Sequence, residues 1–132
     1  MNVRFVVLVA AAALLVSAVP MLAHHSFAAE YDASKPIDIK GVVTKVEWTN
    51  PHARFYVDVA DTNGKVTNWN FELASPNVLT RQGWTRKSLK EGDHISVQGS
   101  KAKDGANMAN ARSVTLSDGK RVFARSVDDE KQ

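Results

Sequence analysis

Between Ile37 and Leu73 the apolar residues keep falling on every second position, and that period of two confines the segment to β structure. Ile37 and Ile39 alternate with Asp38 and Lys40. Phe55, Val57 and Val59 alternate with Arg54, Tyr56 and Asp58, and Trp69, Phe71 and Leu73 with Asn68, Asn70 and Glu72. An alternating strand turns one face to a core and the other to water, so three half-buried strands are expected. The phase slips at Gly41-Val42, after which Val42, Val46 and Trp48 share a face. A slip at a glycine predicts a β-bulge in one long, curved first strand. Thr49-Asn50-Pro51-His52 and Asp61-Thr62-Asn63-Gly64 supply turns, which makes the three strands a meander.

Ser75-Pro76 predicts a helix start, with the serine oxygen capping free amides and proline in the first turn, and Gly83 closes it after about two turns. Strands are then expected over residues 94–99, with Ile95 and Val97 inward, over 109–116, and briefly over 121–125, with a basic loop at 100–107. Three strands, a helix and two or three more strands match the Greek-key barrel called the OB-fold. The expected class is all-β with one short helix, a small five- to six-stranded OB-like barrel. A split sandwich of the same strands would show the same periodicity.

Residues 1–23 obey a different rule. Arg4 is followed by FVVLVAAAALLVSAV, which carries no charge, and Pro20 breaks any helix just before Ala23. This reads as a secretory signal with cleavage after Ala23, although Met21 is larger than the small residue wanted two positions before the cut; Ser26-Phe27-Ala28 has the small-x-small form for a cut after Ala28, and a cut after Ala18 is the earlier alternative. The rival is an uncleaved anchor, because the apolar run is close to the roughly 20 residues of a membrane span. The expected organisation is a leader at 1–23, an extended arm at 24–36 whose Phe27 and Tyr31 dock on the barrel, the barrel itself at 37–126 and a polar tail at 127–132. The mature form is expected in the periplasm or outside the cell, with no membrane span.

Composition narrows the chemistry. The absence of cysteine excludes disulfides, thiolate metal sites and a cysteine nucleophile. A formal charge of +3, lowered by one when Arg4 leaves with the leader, makes no electrostatic case for nucleic acid. No nucleophile elbow, P-loop, HExxH or dinucleotide fingerprint is present. Glu30, Asp32, Glu47 and Glu72 are available as acids or bases, but sequence alone brings no two of them together. A binding protein is therefore expected rather than an enzyme, with no catalytic residue assigned.

Four motifs carry a family likeness: AHHSF at the leader boundary, GVVTKVEWTNPH, SPNVLTRQGWTRKSLKEGD and GSKAKDG. Together they resemble small exported bacterial proteins of domain of unknown function family 6152. The resemblance implies an exported β-barrel domain and leaves activity undefined.

The candidate site lies at the leader boundary and two loops. Cleavage after Ala23 would free the amine of His24, which with its own imidazole and a second one gives three nitrogen ligands, a set that favours Cu(II). His52, in the TNPH turn, and His25 compete for the second role; His25 can also bind through the amine and the intervening amide. Met108 is a soft axial candidate for copper. Asn50, Lys101 and Lys103 sit in the loops that OB-folds use for ligands, and the lysines suit an anion. The plain reading of the same residues is a polar spacer at His24-His25 and a turn hydrogen bond at His52. His94 is expected to be solvated. Trp48, Trp69 and Trp84 fit core packing better than an aromatic platform, and Arg81, Arg86, Lys87 and Lys90 a solvated face better than a docking patch. The expected function is an exported envelope accessory protein with a site for one copper ion. The alternatives are a module that binds an envelope protein or small anionic ligand without metal, and a copper-dependent oxidase.

Overall fold

The computed structural model describes residues 27–123, so the leader, His24, His25 and the polar tail lie outside the described residues. A helical turn, α1 (Phe27–Glu30), runs directly into β1 (Tyr31–Glu47). It is followed by β2 (Arg54–Ala60), β3 (Val66–Glu72), α2 (Pro76–Arg81), β4 (His94–Ala102), β5 (Met108–Leu116) and β6 (Arg121–Phe123). The strand order is β3-β2-β1-β4-β5-β6, and a parallel pairing of β3 with β5 closes the first five into a ring. That closure rules out the split sandwich and, with the helix between β3 and β4, gives an OB-like barrel. Among the described residues no helix is long and apolar enough to cross a membrane.

β1 spans 17 residues because it serves two neighbours. Its first part pairs with β4, from Tyr31↔Ala102 to Val42↔His94, and its second with β2, from Val42↔Asp58 to Glu47↔Arg54. Such a strand must bend. Gly41 allows the close approach of β2, since a Cβ there would stand 2.3 Å from the Asp58 carbonyl oxygen. The register slips just beyond it, between Val43 and Lys45. The bulge is thus displaced from the glycine, and Val43, not Val42, is the buried residue, at 1% exposure. Val46 and Trp48 pack against the core as expected.

The segment read as an extended arm holds a helical turn, and the sheet begins within it at Tyr31. Tyr31 and Asp32 pair with Ala102 and Lys101, residues 33–35 bulge out, and pairing resumes at Pro36. Asp32 closes the bulge by accepting from Ser34 N at 3.0 Å and Ser34 Oγ at 2.6 Å.

Inside the ring Phe55 and Phe71 stack with centroids 5.1 Å apart, and Trp69 extends the stack at 6.1 Å. Leu73, Leu79, Val97, Val114 and Trp84 complete the core. Ser75 caps α2 by accepting from Val78 N at 3.4 Å, and Gly83, at φ +91°, follows the helix. β5 breaks its own alternation. Gln98 pairs with Ser113 but Gly99 with Ala111, so Arg112 is an extra residue. Ala109, Ala111 and Val114 consequently all face inward, and Asn110 and Ser113 share the outer face.

Candidate functional site

The expected ligand loops lie at one end of the ring, where the start of β2 at Arg54, the end of β3 at Glu72 and the start of β5 at Met108 come into register. In the β1–β2 loop Asn50 is exposed and precedes a cis bond to Pro51. Ala53 fixes the loop to the end of β3: its N–H donates to Ala74 O at 3.1 Å, and Leu73 N donates to its carbonyl at 2.9 Å. His52 is thereby set half-buried, with Nδ1 buried and without a hydrogen-bond partner.

In the β4–β5 loop neither lysine stands alone. Lys101 Nζ lies 5.9 Å from the centroid of the Trp69 ring, a cation–π contact. Lys103 clasps α1: its N–H donates to Glu30 O at 2.9 Å and its ammonium to Ala28 O. A cation on the last carbonyls of a helical turn satisfies groups that the turn itself leaves open. The loop thus fastens the arm to the barrel. Met108, half-buried, accepts from Arg54 Nη1 at 3.8 Å through its sulfur.

Arg54 connects these loops to a row that the sequence reading passed over. Arg54, Glu72, Asn110 and Ser100 are register partners on β2, β3, β5 and β4, and partners share a face. Phe55, Phe71, Ala109 and Ala111 face the core, so the row faces outward; yet Glu72, Ser100 and Asn110 are all buried. Arg54 Nη2 forms an ion pair with Glu72, and Nη1 donates to Asn70 Oδ1 at 3.3 Å. Tyr31, paired with Ala102 on the same face, is 1% exposed. Burial first, and then the negative charge of Glu72, push its phenol well above the ordinary value. The Tyr31 hydroxyl is buried within hydrogen-bonding reach of the Glu72 carboxylate, and Asn110 Nδ2 is buried without a partner. Arg54 and Glu72 were visible as outward residues of their strands, but only the register shows them opposite each other.

The other carboxylates proposed as acids or bases have separate partners. Asp32 holds Ser34 and lies 3.7 Å from Lys35. Glu47 pairs with Lys45 and accepts from Tyr56 Oη at 3.2 Å. The hydrogen bond from Lys45 holds the Glu47 carboxyl below its usual range, and Glu47 in turn raises Lys45. Beside them Asn68 Nδ2 bridges Asp58 at 2.7 Å and Thr44 at 3.2 Å, and Lys45 sits 5.3 Å from the Tyr56 centroid. The outer face of β1, β2 and β3 therefore carries Lys45 and Arg54 against Glu47, Asp58 and Glu72, with Tyr56 as its aromatic. Trp84 is core, at 2% exposure, and His94 is exposed, as expected. Among the described residues no three histidine, aspartate or glutamate side chains cluster to hold a metal ion.

The model of a Family of unknown function (DUF6152) matches residues 11–111. Among solved structures the chain is similar to the mitochondrial single-stranded DNA binding protein Rim1 from S. cerevisiae. The identity is 9%, 63% of this chain and 93% of that one are covered, and the TM-score is 0.49. No curated protein matches.

Proposed function

Because the chain belongs to the Family of unknown function (DUF6152), a membership that fixes no activity, we propose its role from the site: an exported accessory protein of the bacterial envelope that binds one copper ion at its amino terminus. His24 supplies its amine and imidazole after cleavage behind Ala23, and His52 supplies the second imidazole. The observation that carries this reading is the His52 ring, held by a pinned turn with Nδ1 buried and unpartnered. A buried ring nitrogen normally has a partner, and a metal ion is one that imidazole commonly takes. The clasp of Lys103 on α1 brings the arm to the same side as Met108, whose sulfur is engaged only by a weak contact. With no metal cluster among the described residues, the site requires a histidine of the arm.

The outer face of β1, β2 and β3 speaks for a partner other than nucleic acid. Single-strand binders combine a basic groove with several stacking rings. Here carboxylates outnumber cations, Tyr31 is buried, and Tyr56 has Lys45 above it.

Native mass spectrometry of the protein exported through its own leader, with one equivalent of Cu(II), tests the reading. A chain that begins at His24 and keeps one copper through desalting is expected, with retention lost in His24→Ala and weakened in His52→Ala. Retention that survives His52→Ala but not His25→Ala would move the second imidazole to His25. A chain that begins at Ala29, or a His24 chain that keeps no copper, would overturn the proposal.

A further inference from the structure

At the end of the ring opposite the candidate loops, where β2 and β5 finish and β4 begins, two cavities open side by side. The first, about 310 Å³, lies between the segment before β4 and the β5–β6 turn, and Lys87, Lys90 and Lys120 line it with Ser88 and Ser117. The second, about 560 Å³, runs over Val42, Ala60, Ile95 and Leu116. His94, Leu116 and Ser117 line both, so the two form one continuous groove. Each cavity falls in the range of about 300–1,000 Å³ found for small-molecule sites.

The halves of the groove differ in chemistry. In the first, Asp93 and Asp118 also reach the wall, but an oxygen of each is engaged by a turn amide: Asp93 Oδ2 accepts from Lys90 N and Asp118 Oδ1 from Lys120 N, both at 2.8 Å. Three lysines thus stand against two engaged aspartates, and among the described residues no carboxylate lies within ion-pair distance of Lys87, Lys90 or Lys120. Ser88 Oγ accepts from Thr85 N at 2.8 Å, which leaves its own hydrogen to donate. Ammoniums and hydroxyls from two separate segments suit an anion with several oxygens. In the second half Lys40 and Asp58 balance each other, and the apolar wall is one that a hydrocarbon chain can cover. We propose that this groove binds a single-chain phosphate amphiphile, its phosphate held by Lys87, Lys90 and Lys120 and its chain laid over Val42, Ala60, Ile95 and Leu116. The excess of positive charge selects the head, and the adjoining apolar wall selects the tail. A phosphate without a chain fills only half of the groove. The groove shares no residue with the copper site proposed above and needs no metal.

Isotope-labelled, metal-free protein, exported through its own leader, is titrated with octyl phosphate below its critical micelle concentration. Inorganic phosphate and octyl glucoside are the controls for head and tail. The backbone amides of Ser88 and Ser117 report on the head, and those of Ile95 and Leu116 on the chain. Octyl phosphate is expected to shift both sets saturably, with an affinity about 10-fold or more above that of either control, and the affinity should fall as salt is added. Lys90→Gln and Lys120→Gln should each weaken octyl phosphate about 2- to 5-fold and leave octyl glucoside unchanged. Ala60→Asp, at an exposed strand end, should weaken octyl phosphate and leave inorganic phosphate unchanged. Inorganic phosphate that binds as tightly as octyl phosphate would reduce the groove to a free-anion pocket, and octyl glucoside that binds as tightly would reduce it to an apolar surface. Either result, or the absence of a saturable shift with octyl phosphate, would overturn the proposal.

Discussion

Two polar rows lie on the outside of this barrel, one across β1, β4, β5 and β6 and one across β2, β3, β5 and β4. In the first, Ser96 Oγ and Gln98 Nε2 donate to Asp38 at 3.1 and 3.2 Å, while Gln98 Oε1 accepts from Ser113 Oγ at 3.3 Å and Arg121 Nη2 at 3.1 Å. Its ends are exposed, so water can complete whatever the side chains leave open. In the second, Arg54, Glu72, Asn110 and Tyr31 are similar in kind, but all except Arg54 are buried, and Asn110 Nδ2 is left without a partner. The residue types do not distinguish these rows. The cover does, because the cost of an unmade hydrogen bond depends on whether solvent can make it instead.

The largest expected effect tests that contrast directly. Glu72→Ala leaves the Arg54 guanidinium, on a side chain only 28% exposed, without its counter-charge; a loss of about 3 kcal/mol in chemical denaturation is expected. A loss as small as that of a surface change would mean the row is wet and the contrast false. Tyr31→Phe comes next. Because folding raises the Tyr31 pKa, the stability it contributes is complete below the unfolded value of about 10 and is lost as pH rises through the folded value. The native protein should therefore weaken above about pH 10 by up to roughly 1.4 kcal/mol per pH unit. Tyr31→Phe should lack that alkaline limb.

Lys103→Ala should speed hydrogen exchange in α1 and at Tyr31 and Asp32 while changing global stability by no more than about 0.5 kcal/mol, since it frees the cover and leaves the ring closed. The smallest effect belongs to the exposed row. Gln98→Ala should cost about 0.5 kcal/mol or less by the same denaturation measurement, and a cost near that of Glu72→Ala would erase the difference between the rows.

How far the sequence reveals these features depends on the range of the interaction. Strands with strict alternation, such as β2 and β3, declare their inward residues because burial repeats every second position. Ser75-Pro76 declares α2 through local capping. The bulges are harder. Val43 takes the core position expected of Val42, and Arg112 shifts the phase of β5, because each slip is set by the neighbouring strand and not by the bulged segment. The row at Glu72 is the least legible, since Tyr31, Arg54 and Asn110 meet it only after ring closure fixes the register of separate strands. His52 was visible as a turn residue, but its unpartnered nitrogen belongs to the packing around it.

The parallel pairing of β3 with β5 is the short seam of the ring. It joins only Asn70↔Met108, Phe71↔Ala109 and Glu72↔Asn110, whereas β2 and β3 share seven such pairs. A closed cylinder that breathes does so first along its briefest join. The side chains that face outward at that join are Asn70 and Glu72 on one lip and Met108 and Asn110 on the other. Arg54, which reaches both Glu72 and Met108, acts as a clasp on the cylinder, and its loss should register in the opening rate of the whole barrel.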